Sequence, residues 1–289
     1  MTKLTMLNAM ASPDFIQSLD TQASWGIEVL DLKDRIWGKS LLELSVEEAE
    51  RAAMAIKERE LSVYCMSTSL FHDDLERGEH HFRAVHLAHI DKTLEIARIL
   101  RPTVIRFLSP RIARTGGHTD SIRRIKSEFA WLFPMLRDAV DRLSAEGFGV
   151  TIENECESNI FAKPQEINAF FDALDRPGSV FFTYDVQNLW QMGTFPSLDT
   201  YRTLKPLIGY FHLKGGRAGE NGRLMWKSAL EDASWPVAEL TLEVVRDGVS
   251  PTICLNPSHG GALEGYDYSR MCTRDLDYIR SVIQRRKPS

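Results

Sequence analysis

The sequence predicts an α/β fold, a single-domain (β/α)8 TIM barrel over residues 1–289. Three observations predict it. Short apolar runs alternate with longer amphipathic segments along the whole chain, as parallel strands joined by helices require. Eight such units in 289 residues suit a closed barrel. No linker, repeat or low-complexity stretch divides the chain, and no G-x-G-x-x-G follows the first strand, which counts against an open dinucleotide-binding sheet.

The elements follow in order. Leu4–Leu7 and Gly26–Leu30 read as the first two strands. Ser45-Val46-Glu47-Glu48 is a capping box, and Val46, Ala49, Ala53 and Ile56 continue it at helical spacing. Leu61–Cys65 is strand three, His81–Leu100 a helix, and Thr103–Leu108 strand four. Ser121–Ser144 is helical with a kink or break expected from Pro134, and Gly147 closes it. Gly149–Glu153 is strand five. Pro164 then opens a helix whose face carries Ile167, Phe170, Phe171 and Leu174. Val180–Tyr184 is strand six, Tyr201–Leu207 a short helix and Ile208–Leu213 strand seven. Pro236 and Gly248 bracket another helix, Thr252–Leu255 is strand eight, and Tyr268–Ile283 is the last helix.

Composition narrows the class. Hydrophobic content of 43% and charged content of 26% are those of a soluble globular protein. A net charge of −5 gives no reason to expect a nucleic-acid partner. Four scattered cysteines without a C-x-x-C pair point to reduced thiols in a cytoplasm. The first residues lack a signal-peptide pattern, and no run approaches the roughly 20 apolar residues of a membrane span.

Barrel chemistry sits at the C-terminal ends of the strands. Strands five to eight end in Glu153, Asp185, His212 and Asn256. Two carboxylates and an imidazole converging on one point repel each other or compete for protons, and burying them unpaired is costly. A divalent cation resolves the conflict, and mixed oxygen and nitrogen donors suit Mn²⁺, Mg²⁺, Co²⁺ or Zn²⁺.

Glu153 in I-E-N-E, Asp185 in Y-D-V-Q-N and His212 in F-H-L-K resemble the metal-binding strand ends of the xylose isomerase-like sugar isomerase/epimerase superfamily. The resemblance runs through the order of strands and helices over the whole chain. It implies one divalent metal held by Glu, Asp, His and a second Glu. It also implies a small keto sugar or sugar derivative as substrate, proton transfer by the two Glu residues, and a homodimer or homotetramer. This chain departs at strand eight, where Asn256 stands in place of the second Glu. An amide oxygen can ligate a metal but cannot act as a base. His259, three residues on, is an alternative ligand or base, and Glu243 is the alternative second Glu if strand eight lies elsewhere, although Pro236 and Gly248 favour a helix there. A second departure is Gly215, where the family commonly has Asp.

A bound metal polarises a carbonyl and acidifies the adjacent C–H, so that a base removes the proton to give an enediolate. The resemblance makes Glu153 the base. Lys214 shares strand parity with His212 and is placed to stabilise an oxyanion or donate a proton. Glu155, Asn188, Arg106, His118 and His259 are the substrate-binding candidates. Arg106 has two readings, a partner for a substrate anion or for a barrel acid. His80, His81, His86 and His89 read as helix-surface residues, and Cys156 and Cys254 as lining residues. Three other functions remain open: a lyase or dehydratase using the same enolate, a non-catalytic sugar-binding barrel, and an endonuclease IV-like repair protein. The last would need more strand-end histidines and a basic face.

Overall fold

A computed structural model describes residues 2–113, 121–226, 228–257 and 268–285. Eight strands form one sheet: β1 (Lys3–Met6), β2 (Val29–Leu32), β3 (Ser62–Ser67), β4 (Val104–Leu108), β5 (Gly149–Glu153), β6 (Val180–Asp185), β7 (Ile208–Leu213) and β8 (Thr252–Leu255). Their hydrogen-bonded order is β1-β8-β7-β6-β5-β4-β3-β2, and every pair is parallel. A parallel bridge between Leu7 and Asp31 brings the two ends together. The sheet is therefore a nearly closed (β/α)8 TIM barrel, with the helices packed outside it.

Local chemistry explains the element boundaries. Ser45 Oγ accepts the Glu48 N–H at 3.2 Å, and Glu48 accepts the Ser45 N–H at 2.9 Å, so helix Val46–Lys57 starts on a complete capping box. Pro164 opens helix Pro164–Leu174. Gly248 ends helix Val237–Asp247 in the left-handed region at φ 66°. Glu243 lies on that helix, paired with Arg246, so it is not the missing strand-eight acid. Between helix and barrel, Phe161, Phe170, Phe171 and Phe182 form a buried aromatic cluster. Each ring buried this way contributes about 1.5–3 kcal/mol.

Several boundaries differ from the sequence reading. β2 runs to Leu32, two residues past the expected end, because Asp31 sits inside the strand and faces the barrel interior. β3 likewise reaches Ser67. The helix expected over 81–100 is two, Gly78–Val85 and Ile90–Leu100, separated by a 3₁₀ turn at Leu87–His89. The turn drives His86 into the protein, where its Nδ1 accepts the Phe71 N–H at 3.1 Å. The helix expected over 121–144 breaks between Glu128 and Leu132, just upstream of Pro134. Helices Asn8–Ala11, Phe15–Ser24 and Val186–Gln191, and the hairpin Arg217–Ala218 with Leu224–Trp226, were not anticipated. Among the described residues no helix is long and apolar enough to cross a membrane.

Candidate active site at the barrel mouth

Strand alternation turns Arg106, Glu153, Asp185 and His212 into the barrel, and all four are buried. Arg106 donates through Nη1 to Glu153 Oε2. Glu153 Oε1 lies 3.0 Å from His212 Nδ1, and Asp185 Oδ2 lies 3.9 Å from the same nitrogen. Lys214, two residues past His212 on the same face, reaches Asp185 Oδ2 at 2.7 Å. Asp185 also caps the helix that follows it, accepting the N–H groups of Gln187 and Asn188 on Oδ1.

Asn188 and Glu155 complete the rim. Asn188 Oδ1 accepts from Lys214 at 3.1 Å, and its amide nitrogen donates to Glu155 Oε2 at 3.3 Å. Glu153, Asp185, His212, Lys214, Asn188, Glu155 and Arg106 therefore form one connected site. Arg106 pairs with the barrel acid through Nη1, while its Nε and Nη2 are buried with no hydrogen-bond partner among the described residues, so the pairing leaves donors for a substrate anion. Asn256 is buried just past β8, where its N–H bonds to the Leu213 carbonyl. Its side chain makes no hydrogen bond to the acids or His212 among the described residues. His118 and His259 lie outside the described residues.

Electrostatics follow from this pairing. Burial disfavours the Glu153 carboxylate, but Arg106 and then His212 outweigh it and hold the group well below the usual carboxylate range. Burial dominates at Asp185 and raises it, with Lys214 opposing. Burial also disfavours the Lys214 ammonium, yet Asp185, Glu153 and Glu155 more than offset it and keep it protonated.

Sequence reasoning missed Asp31. This carboxylate is wholly buried on β2, on the far side of His212 from Glu153. It accepts from Ser67 Oγ and, at 2.8 Å, from Tyr210 Oη, and lies 3.8 Å from His212 Nε2. The Tyr210 ring packs edge-on against the imidazole at 4.5 Å. The one available signal was an aspartate interrupting the apolar run Val29-Leu30-Asp31-Leu32.

Among the described residues, three groups of side chains bring ligand atoms within 4.8 Å of one another: Glu153–Asp185–His212, Asp31–His212–Cys254, and Asp73–His81–His86. In the second, burial pushes the Cys254 thiol up and keeps it protonated. In the third, His86 Nδ1 already accepts a backbone N–H, so the neutral ring carries its proton on Nε2 and offers no lone pair there. His86 is therefore a buried residue of a His–Asp–His network, not the helix-surface histidine expected. Glu153–Asp185–His212 fits a divalent metal best. It supplies two carboxylates and an imidazole, and both ring nitrogens of His212 are buried without a hydrogen-bond partner among the described residues.

Gly215 is explained by packing. A Cβ there would lie 1.9 Å from the Ser228 carbonyl oxygen, so only glycine lets the 228–229 backbone approach the chain just past β7 this closely.

The parallel barrel has the fold of the xylose isomerase-like TIM barrels. Three solved structures make the likeness concrete. A xylose isomerase-like TIM barrel protein from Mycobacterium smegmatis, in complex with magnesium, matches at TM-score 0.71 and 15% identity, over 98% of this chain and 96% of its own. D-psicose 3-epimerase from Clostridium cellulolyticum H10, solved with D-tagatose, matches at TM-score 0.73 and 15% identity, over 97% and 99%. A probable 3-DHS dehydratase involved in petrobactin synthesis, from Bacillus anthracis, matches at TM-score 0.71 and 15% identity, over 99% and 100%. No protein-family model matches the chain, and no curated protein matches it in sequence.

Proposed function

We propose that this chain is a divalent-metal-dependent isomerase or epimerase of small keto sugars. The observation that carries the reading is the convergence of Glu153, Asp185 and His212, buried together at the C-terminal mouth of the barrel. The fold neighbours that act on sugars support it by analogy of fold. Glu153, Asp185 and His212 would hold the metal, which when bound polarises a substrate carbonyl and acidifies the neighbouring C–H.

The chain's own residues then divide the work. Glu153, kept ionised by Arg106, is free to accept the substrate proton, although the same pairing weakens it as a base. Lys214, held protonated, is a donor toward negative charge developing on the substrate oxygen. Asn188 fixes the Lys214 ammonium from one side and the Glu155 carboxylate from the other. One carboxylate that carries a proton between adjacent carbons suffices for aldose–ketose isomerisation.

Asn256 favours a second reading. An amide in place of a second base removes the partner that a two-base inversion needs. Loss of a β-hydroxyl from the same enolate, a dehydration, needs none. Isomerisation conserves substrate mass and dehydration loses water, so product mass separates them.

The test is elemental analysis of the purified protein with Glu153→Gln and His212→Ala, followed by α-proton exchange of keto sugars in heavy water. About one equivalent of divalent metal in the parent, lost in both variants, with metal-dependent exchange, supports the reading. A parent that takes up no metal even from excess Mn²⁺ sinks it and leaves sugar binding without turnover.

A further inference from the structure

At the same C-terminal end of the barrel as Glu153, Asp185 and His212, a cavity of about 210 Å³ opens past the ends of β2 and β3. Lys33, Asp34, Ser40, Leu41, Leu42, Ser67, Thr68 and Ser69 line it. One lining residue leads toward the site already described. Ser67 bonds to Asp31, and Asp31 faces His212. Lys33 lies two residues past Asp31 and shares its inward parity.

Its wall is held in place. Asn8 donates to the Asp34 carbonyl at 2.7 Å and accepts the Lys33 N–H at 2.9 Å, and the Leu41 N–H bonds to the Lys33 carbonyl. The side chains of Lys33 and Asp34 have no partner among the described residues. Lys214, by contrast, is paired with Asp185, and Arg106 with Glu153 through Nη1 alone.

The donor and acceptor inventory decides what fits. Three of the four hydroxyls have already spent their protons: Ser40 on Glu43, Ser67 on Asp31, and Thr68 on the Arg106 carbonyl. Their oxygens can then only accept, and Thr68 Oγ1 already accepts the Leu70 N–H at 3.3 Å. Asp34 adds a carboxylate, and Lys33 and Ser69 supply the donors. A phosphate or carboxylate brings acceptors only, and would meet Asp34 and three lone-pair-bearing oxygens. A sugar hydroxyl both donates and accepts, and satisfies Lys33 and Asp34 together.

We propose that this cavity is the subsite for the non-reacting end of the substrate, and that it selects an uncharged, hydroxyl-bearing chain over a phosphate ester or sugar acid. The proposal rests on the sugar reading of the metal triad. It adds where the far end of the substrate lies and which charge class it has.

Saturation-transfer NMR of the full chain with D-fructose and with D-fructose 6-phosphate, in parent, Lys33→Met and Asp34→Asn, tests it. D-fructose should bind and its phosphate should not, and each substitution should weaken D-fructose roughly tenfold or more, as loss of a charge-assisted hydrogen bond does. Both positions are partly exposed, so the variants should melt like the parent. Preferred binding of the phosphate, binding of neither sugar, or unchanged D-fructose binding in both variants overturns the subsite. Its failure is distinct from failure of the catalytic reading, which metal content and proton exchange decide without reference to Lys33 or Asp34.

Discussion

Lys214 extends from the end of β7 to place its ammonium 2.7 Å from Asp185 Oδ2, the carboxylate oxygen that also faces His212 Nδ1 at 3.9 Å. Under the proposed function, a cation from solution would address the same buried anion as this cation of the chain. Removing the ammonium leaves Asp185 uncompensated, at a cost of about 3 kcal/mol. Lys214→Met should lower the melting temperature of metal-free protein, and excess Mn²⁺ should restore it by binding only the folded state. Thermal melts with and without Mn²⁺ check this; an unchanged metal-free melt would show that the pair carries no such weight.

Asp31 bears on the same imidazole from the opposite side. A carboxylate facing Nε2 favours the tautomer that leaves the Nδ1 lone pair toward Glu153 and Asp185. Asp31→Asn should weaken metal affinity by about ten- to a hundredfold while retaining one equivalent at saturation. Calorimetric titration with Mn²⁺ measures it, and parental affinity in the variant would remove Asp31 from this role.

Gly215 should not tolerate a methyl group. Gly215→Ala drives a Cβ into the Ser228 carbonyl and must displace the segment leading from the hairpin to helix Val237–Asp247. A loss of about 1–3 kcal/mol is expected in chemical denaturation. Parental stability would mean that the segment moves aside without cost.

Two buried groups set opposing pH slopes. Burial brings His86 down to about 4, against Asp73 and with His81, His89 and His72 adding to the depression. Between pH 6.5 and 4 the unfolded chain takes up a proton that the folded chain refuses, so stability falls as the solution is acidified, by about 3 kcal/mol in full. Burial pushes Asp275 up to about 7, with the Leu230 N–H opposing. Here the folded chain holds the proton longer, so stability falls as pH rises from about 4 to 7. Asp275→Asn keeps an acceptor for Leu230 and should raise the melting temperature at pH 8 but not at pH 4. His86→Gln should flatten the acid limb. A scan of melting temperature against pH for parent and variants checks both signs.

Much of the site was readable because barrel chemistry concentrates at strand ends, and the last residues of strands five to seven were visible as polar side chains after apolar runs. Glu153, Asp185, His212 and Lys214 followed from that rule, and Glu155 from strand parity. Asn188 came through the family resemblance. Arg106 was found with two readings, since nothing local distinguishes a guanidinium meant for a substrate from one meant for Glu153. Asp31 was lost because an acid within four strand residues reads as the end of the strand. His86 was misread because a 3₁₀ turn rotates it off the face that helical spacing assigns it.

Periodicity, capping and turn residues act over a few positions, so the sequence alone established the alternation of strands and helices and the order of the strand-end donors. Closure of the barrel settled the rest. It brings Asp31 to Tyr210 across 179 residues of chain, sets Asp31 and Glu153 on opposite sides of one imidazole, and lays the 228–229 backbone over Gly215. Such contacts arise between strands that are neighbours or opposites only once the sheet curls, and no spacing within the chain encodes them.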